Sequence, residues 1–335
     1  MTRRSFNWPH AIACLLVAVT AALLSFGALV TTYEAAMAVP DWPGTYGHNM
    51  FLFPLTEWLH GPWDLFLEHG HRLLGAATGI VTLVLVAVAW RGQASPAVRW
   101  LAVAAVALVV VQGLLGGARV LLDDKTVAKV HACTGPLFFA VAVAIATATR
   151  PQAVQGPRRP SPEPPGSRAI VASTAAAGLV IASYLQLVAG AQLRHLDATV
   201  DPFTFRWLVG VHVAGAAIVA AIALVLAWAN ASATASIRTW SWLIAAFVVA
   251  QVVLGCGAWV ASWGLPSGLL PVDWQPARAV VARSTSGAMI VTGHVLLGMA
   301  ILGSSVVLWI IGGGLASHAD RRRLPGDVEM ERAFA

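Results

Sequence analysis

The sequence predicts an all-α polytopic membrane protein, whose eight transmembrane helices form two tandem, similar four-helix bundles. Hydrophobic residues make up 58% of the 335 residues and charged residues 11%, whereas soluble domains carry roughly 25% charged residues. Eight apolar segments each have the length of about 20 residues that a helix needs to cross a bilayer. A soluble or disordered chain is therefore excluded, and the lipid bilayer is the expected surrounding. The net charge of +6 does not indicate a nucleic-acid partner, since most of the chain cannot face water.

The apolar segments are predicted at residues 11–30, 70–90, 98–118, 128–148, 169–190, 208–229, 239–262 and 288–311. The first segment precedes Ala36-Met37-Ala38, a run that resembles a signal-peptidase site. Because its apolar stretch is longer than the roughly 7–15 residues of a signal peptide, we expect it to be a retained helix.

The basic residues predict the orientation, because cytoplasmic loops carry an excess of Lys and Arg. With a cytoplasmic N-terminus, thirteen of the 21 basic residues but only five of the 15 acidic residues fall on the cytoplasmic side. Both termini are therefore expected in the cytoplasm, and the opposite side is the outer side.

A repeat divides the chain into an N-terminal bundle (1–150), a Pro- and Arg-rich cytoplasmic linker (151–168), a C-terminal bundle (169–315) and a cytoplasmic tail (316–335). The segment Gln112–Ala118 recurs at Gln251–Ala258. His71 has a counterpart in His212, and His131 has one in His294, with an insertion expected in the outer loop 262–287. The two halves are thus parallel repeats.

Four histidines lie in the outer third of the even-numbered segments, and ionisable residues inside a membrane are usually functional. Each has a glycine three or four residues later: His71/Gly75, His131/Gly135, His212/Gly215 and His294/Gly298. A flat macrocycle needs an axial imidazole beside a surface without side chains, so two histidines per bundle predict one bis-imidazole haem in each. The paired histidines could instead form a zinc or copper site. Such a site needs a third or fourth ligand, and the C-terminal bundle has no acid near its histidines.

Glu68 distinguishes the N-terminal bundle, because it lies one turn before His71 and on the same helix face. The equivalent residue of the second half is Val209. The carboxylate could stabilise the start of the helix or handle protons. The asymmetry favours the second role, with one electron-transfer site and one reactive site.

The three cysteines, Cys14, Cys133 and Cys256, each lie inside an apolar segment, and no loop carries a cysteine pair. We expect them to be small buried apolar residues.

At these residues the sequence resembles the heme A synthase family over essentially the whole chain. The resemblance rests on the E-x-x-H-R motif at Glu68–Arg72, on Gln112–Gly117, on the four histidines and on the first outer loop, Val39–Gly47. It implies a multi-pass protein of the bacterial plasma membrane that oxidises a methyl group of haem O to the formyl group of haem A by successive hydroxylations, for cytochrome oxidase. It further implies that His212 and His294 bind a haem b cofactor, that His71 and His131 bind haem O, and that catalysis requires Glu68.

Many bacterial members carry a cysteine pair in the outer loops, so the chain resembles the type without that pair. The electron donor, a quinol or another reductant, stays open, as do the oxygen source and a complex with haem O synthase.

Two other functions compete with this one. A non-catalytic bis-His dihaem cytochrome b would pass electrons only, but a transmembrane path needs haems at two depths, whereas all four ligands lie near the outer surface. A transporter would show broken helices and paired charges at the membrane midplane, which the sequence lacks.

The haem propionates are expected to point to the outer surface. The basic residues predicted at that depth are Arg72, Lys129, Arg194 and Arg206, and a guanidinium matches the geometry of a carboxylate. A solvated or headgroup-facing position is an equal alternative for each of them.

Overall fold

The computed structural model describes residues 6–92, 94–151, 167–196, 199–264 and 284–313. Its α-helices are α1 (Trp8–Thr32), α2 (Leu55–His60), α3 (Trp63–Arg91), α4 (Pro96–Leu122), α5 (Lys125–Ala148), α6 (Ser167–Arg194), α7 (Pro202–Ala229), α8 (Ala235–Trp263) and α9 (Thr285–Ile311). A 3-10 turn, Ala35–Met37, follows α1.

Eight of these helices, all except α2, are long and apolar enough to cross a membrane. They coincide with the eight predicted segments, and the described ranges contain no β-strand. The predicted fold class is therefore confirmed as an all-helical, multi-pass membrane protein.

The sequence sets where these helices begin through short polar side chains and prolines. The side chains of Asn7 and Ser95 accept hydrogen bonds from the first turns of α1 and α4, and a proline follows each within the first two helical positions. Such caps satisfy N–H groups that have no partner within the helix. The side chains of Asp124, Asp201 and Ser284 cap three further helices, of which the one after Asp201 also begins with a proline.

The spanning helices contact one another in two closed sets. In the first, α1 contacts α3, α3 contacts α4, α4 contacts α5, and α5 returns to α1; α6, α7, α8 and α9 repeat this order. The sets meet through α9, which packs on α1 and α5, and through α5 with α6. The predicted division into tandem bundles with the stated bounds stays a prediction. The central parts of its linker and insertion (152–166 and 265–283) and all of its tail lie outside the described residues.

The buried apolar cores occupy the inner part of each set. In the first, Leu16 and Leu85 pack with Ala102 and Ile145. Leu179, Ala223 and Ile244 form the equivalent core of the second set. This apolar packing lies away from the histidines and holds the helices together, so polar residues can face each other between the parts of the helices that carry the histidines.

Exposed tryptophans lie near the helix ends on both sides. Trp63 and Trp207 lie at the outer ends of α3 and α7, and Trp90, Trp100 and Trp228 lie at inner ends, all at least 43% exposed. Tryptophan is enriched at membrane–water interfaces, so the tryptophans at both ends of the helices agree with a protein that spans the bilayer.

The prediction of buried cysteines is wrong for two of the three. Cys14 and Cys256 are exposed, and Cys133 is partly buried. An apolar segment of a spanning helix has a face that packs inside and a face that meets lipid, and composition does not tell which face a residue occupies.

Candidate functional site

The four intramembrane histidines form two pairs in the structure. The ring centroids of His71 and His131 lie 6.4 Å apart, and those of His212 and His294 lie 6.3 Å apart. In each set the two histidines come from helices that are not neighbours in the ring of contacts, so each pair faces the other across the middle of its set.

This separation suits one metal ion between two imidazoles. Metal–imidazole bonds are about 2.0–2.1 Å long, as for zinc, so two coordinating nitrogens lie roughly 4 Å apart and the ring centroids lie further apart by about one ring width. Among the described residues no three or more His, Cys, Asp or Glu side chains gather into a metal-binding group. The geometry is therefore that of two-ligand sites.

Each imidazole lies against a glycine of a neighbouring helix. A Cβ added to that glycine would come within 2.9 to 3.3 Å of the ring Cε1. The four contacts are Gly27 with His71, Gly116 with His131, Gly190 with His212 and Gly255 with His294. The helix pairs that carry them, α1 with α3, α4 with α5, α6 with α7 and α8 with α9, are the most extensively packed pairs, because small residues let backbones approach closely.

Two of the glycines that follow the histidines lie against side chains of α6. A Cβ at Gly215 would meet the Gln186 side chain at 2.3 Å, and one at Gly298 would meet Leu187 at 3.0 Å. These two glycines therefore make room for side chains of a neighbouring helix, and their predicted place beside a haem stays a prediction.

Hydrogen bonds reach the imidazole rings of His71 and His212 and the backbone carbonyls of His131 and His212, whereas the buried Nδ1 atoms of His131 and His294 have no partner among the described residues. His71 donates from Nδ1 to the Leu23 carbonyl at 3.2 Å, which leaves its Nε2 free as a ligand atom. Gln112 donates to the His131 carbonyl at 3.2 Å. Gln186 donates to the His212 carbonyl at 2.8 Å and lies 3.1 Å from Nδ1 of that ring.

The buried carboxylate of Glu68 lies beside the first pair. Its side chain is 1% exposed, and its Oε1 accepts a hydrogen bond from Arg72 Nη2 at 2.9 Å. Nη2 of Arg119 lies 3.9 Å from the same oxygen. Oε2 is buried and has no hydrogen-bond partner among the described residues. One carboxylate oxygen is thus held by the protein, and the other has no partner.

Arg72 joins Glu68 to the first outer loop. Its guanidinium also donates to the backbone carbonyls of Val39, Asp41 and Gly44. Because these bonds use both terminal nitrogens, the guanidinium of Arg72 is occupied by contacts within the protein. Its predicted contact with a propionate stays a prediction.

The first outer loop is folded onto the ends of α3 and α4. Trp42 packs so closely on Gly117 that a Cβ there would lie 2.5 Å from the indole. The Thr45 hydroxyl and Nδ1 of the buried His69 are 2.9 Å apart. The loop therefore covers the outer end of the first set.

Asp41 closes a turn within this loop by accepting from the backbone N–H groups of Tyr46 and Gly47 at 2.8 and 2.9 Å. Partial burial opposes its ionisation, but these N–H groups and the Arg72 charge hold the pKa of Asp41 below its ordinary value of 3.8. Gly47 has a φ of +79°, which favours glycine at this position.

The other predicted basic residues differ in their surroundings. Lys129 is partly buried and Arg206 is exposed, with Arg206 donating to the Pro202 carbonyl at 3.1 Å. Arg194 donates to the Ala28 carbonyl and the Thr32 hydroxyl of α1. Burial, followed by the charges of Arg194, Lys129 and Arg119, lowers the pKa of the neighbouring His195 to about 4, so that imidazole is neutral at pH 7. The roles of these residues stay predictions.

Arg119 and the four bordering glycines were not among the predicted site residues. The repeat carried a signal for both, because Gly116 and Gly255 occupy matching places and the charged Arg119 matches the apolar Ala258.

Two known groups of proteins are similar to this chain. A family model described as cytochrome oxidase assembly protein matches residues 62–215, a range that includes Glu68, His71, His131 and His212. The chain is 29% identical over 180 residues to a heme A synthase from Shouchella clausii (strain KSM-K16), covering 52% of this chain and 54% of that protein. The match thus spans about half the length of this relative, and both findings support the predicted resemblance.

Proposed function

We propose that this chain, a member of the heme A synthase family, oxidises a methyl group of haem O to the formyl group of haem A for cytochrome oxidase. In the proposed reaction, two successive hydroxylations each replace a C–H bond of the methyl group with a C–OH bond, which is a two-electron oxidation of its carbon. When water supplies the oxygen atom, two electrons and two protons pass to an electron acceptor. When O2 supplies it, two electrons from a quinol or another donor and two protons convert the second oxygen atom to water. The resulting gem-diol loses water and leaves the formyl group.

The observation that carries this proposal is the difference between two otherwise matching sites. Both sets bring two imidazoles to the same separation, each beside a glycine. Among the described residues, only the first set has a buried carboxylate at the site, Glu68, whereas the matching Val209 is a buried apolar residue. A protein that only transfers electrons between two haems needs no such group at one of them.

We assign a haem b cofactor to His212 and His294. The residues fit this group, because Gly190 and Gly255 keep the space beside both rings free of a Cβ and no third ligand competes within the described residues. A bis-imidazole haem supplies one-electron transfer when bound. Gln186 orients His212 through its carbonyl and ring.

We assign the substrate haem O to His71 and His131. His71 is oriented by the Leu23 carbonyl, and Gln112 holds the backbone of His131. Glu68 accepts or delivers a proton at the substrate methyl group, or stabilises positive charge there. Arg72 holds Oε1 of Glu68, so that Oε2 serves this purpose, and the first outer loop keeps water from the site.

The test is pigment formation in a host that makes haem O but no haem A. Cells expressing the full chain should yield extractable haem A, and cells expressing His71→Ala should not. A non-catalytic dihaem cytochrome b would bind haem in this host without forming haem A. That outcome, with the protein present in the membrane at normal level, would contradict the proposed function.

The proposed setting is the bacterial plasma membrane, with both termini in the cytoplasm. The distribution of the arginines supports this orientation, and reporter fusions to each terminus test it. A complex with haem O synthase, which would deliver the substrate, stays a prediction.

A further inference from the structure

Arg119 is a second cation at Glu68, and it has no close partner among the described residues. It lies in the last turn of α4, its side chain is 13% exposed, and its Nη2 is 3.9 Å from Glu68 Oε1. That distance exceeds a hydrogen bond, and Arg72 already donates to the same oxygen. The charge of Asp41 also interacts with Arg72, so Arg119 has no carboxylate of its own. A largely buried cation is costly unless an anion pairs with it.

Arg119 also lies close to the imidazole pair. It is three residues after Gly116, which borders His131, and residues three apart lie on one helix face. Glu68 is three residues before His71, and α3 and α4 run in opposite directions across the membrane. Arg119 and Glu68 are therefore both displaced by about 4.5 Å toward the outer side, relative to the level of the histidines.

Three charged residues of the first set have no charged counterpart at the matching places of the second. The alignment that pairs Gly116 with Gly255 pairs Arg119 with Ala258. The residues matching Glu68 and Arg72 are the apolar Val209 and Val213. Arg72 holds the first outer loop, whereas Arg119 has no such structural contact among the described residues, so its charge points to something that the first set binds.

We propose that Arg119 binds a propionate carboxylate of the haem held by His71 and His131. The proposal rests on the proposed function, because it places the substrate between these histidines. Haem carries two carboxylates at one edge of the ring, and this edge faces the outer side when it meets Arg119. A guanidinium suits this ligand, because it can donate two parallel hydrogen bonds to one carboxylate. Arg72 is less suited, because both its terminal nitrogens donate to loop carbonyls and Glu68.

The test compares two probes on the purified full chain, with its resident haem in place. Iron protoporphyrin IX and its dimethyl ester differ only in the free carboxylates, and absorbance titration follows the binding of each. The part of each signal that His71→Ala abolishes reports on the first site. We expect the wild type to bind the free acid more tightly than the ester. Arg119→Gln should weaken binding of the free acid by about 10- to 100-fold and leave binding of the ester unchanged.

Two further variants sharpen the comparison. Arg119→Lys should recover part of the affinity for the free acid, because an ammonium retains the charge but not the paired donors. Arg91→Gln removes an exposed guanidinium at the inner end of α3 and should change neither titration.

Equal weakening of both probes in Arg119→Gln would show a structural role and overturn the proposal, and so would unchanged binding of the free acid. Failure of the proposed function looks different. If only the chemistry fails, the His71-dependent titrations are unchanged while no haem A is extracted from the expressing cells. If His71 and His131 bind no haem, the wild type shows no His71-dependent signal with either probe, and the propionate role of Arg119 falls with that assignment.

Discussion

At the scale of single residues, the two sites differ in one buried carboxylate. Glu68 and Val209 occupy matching places, and both are buried. Arg72 holds Oε1 of Glu68, whereas Oε2 has no hydrogen-bond partner among the described residues. A polar atom left without a partner in a buried position is costly, so it points to a function that compensates for this cost.

Glu68→Gln should abolish haem A formation while the haem b spectrum is kept. The amide is nearly isosteric, but it cannot take up a proton, and positioned acid–base groups contribute roughly 10²- to 10⁴-fold in rate. Pigment extraction measures the product, and the absorption spectrum of the purified variant measures the resident haem. Near wild-type yield of haem A would reduce Glu68 to a structural carboxylate.

Gly255→Ala should weaken binding of haem b. The added Cβ would lie 3.0 Å from Cε1 of His294, so the ring must move, and overpacking typically costs about 1–3 kcal/mol. The measurement is the amount of low-spin haem per protein after purification. Gly210→Ala is the control, because a Cβ there meets nothing within 4 Å. Equal haem content in the two variants would contradict the importance of this contact.

At the scale of elements, the first outer loop is fastened to α3 by charged groups. Arg72 holds three of its carbonyls, and Asp41 holds two of its N–H groups. Hydrogen bonds to charged groups are stronger than neutral ones, so a loop without regular secondary structure can keep one conformation.

The Asp41 turn should be stable above about pH 4 and open in stronger acid. Because the folded pKa of Asp41 lies below its ordinary value of 3.8, its ionised form stabilises the turn above that value. This contribution is lost as the pH falls through the lower, folded pKa. Hydrogen exchange at Tyr46 and Gly47, corrected for intrinsic rates, should show constant protection from pH 7 to pH 5.

Asp41→Asn provides the comparison for this turn. It should reduce protection at those two amides roughly tenfold at neutral pH, and the difference from wild type should close in strong acid. A difference that persists unchanged below the folded pKa would show that the Asp41 charge does not hold the turn.

At the scale of the whole molecule, two sets of four helices each hold their own histidine pair. The sets meet through α9, α1, α5 and α6, and the Thr32 and Thr292 hydroxyls lie 3.3 Å apart across this contact. Since each pair lies within one set, ligand loss in one set should leave the other occupied.

His212→Ala should therefore abolish the low-spin haem b spectrum, and His71→Ala should preserve it. Removal of one axial imidazole destroys bis-His coordination, whereas His71 belongs to the other pair. Reduced-minus-oxidised absorption spectra of both purified variants decide the matter. Loss of the spectrum in both variants would show that the two sites depend on each other.

Local and linear features were enough to predict much of this protein. Hydropathy is a property of consecutive residues, so the eight segments followed directly from the sequence. The repeat then matched His71 to His212 and His131 to His294, because each histidine keeps its place in the outer third of its apolar segment despite the insertion expected in the loop 262–287. Glu68 became a candidate for the same reason, since its matching residue is Val209.

Only the tertiary structure decided which residues meet across helices. The glycines that border the imidazoles, the approach of Arg119 to Glu68 and the exposure of Cys14 and Cys256 all depend on which helices are neighbours and on the rotation of each about its axis. Hydropathy is nearly uniform around a helix that meets both lipid and protein, so it does not encode that rotation. The loop that Arg72 holds depends in addition on backbone carbonyls, which every residue carries and no sequence pattern distinguishes.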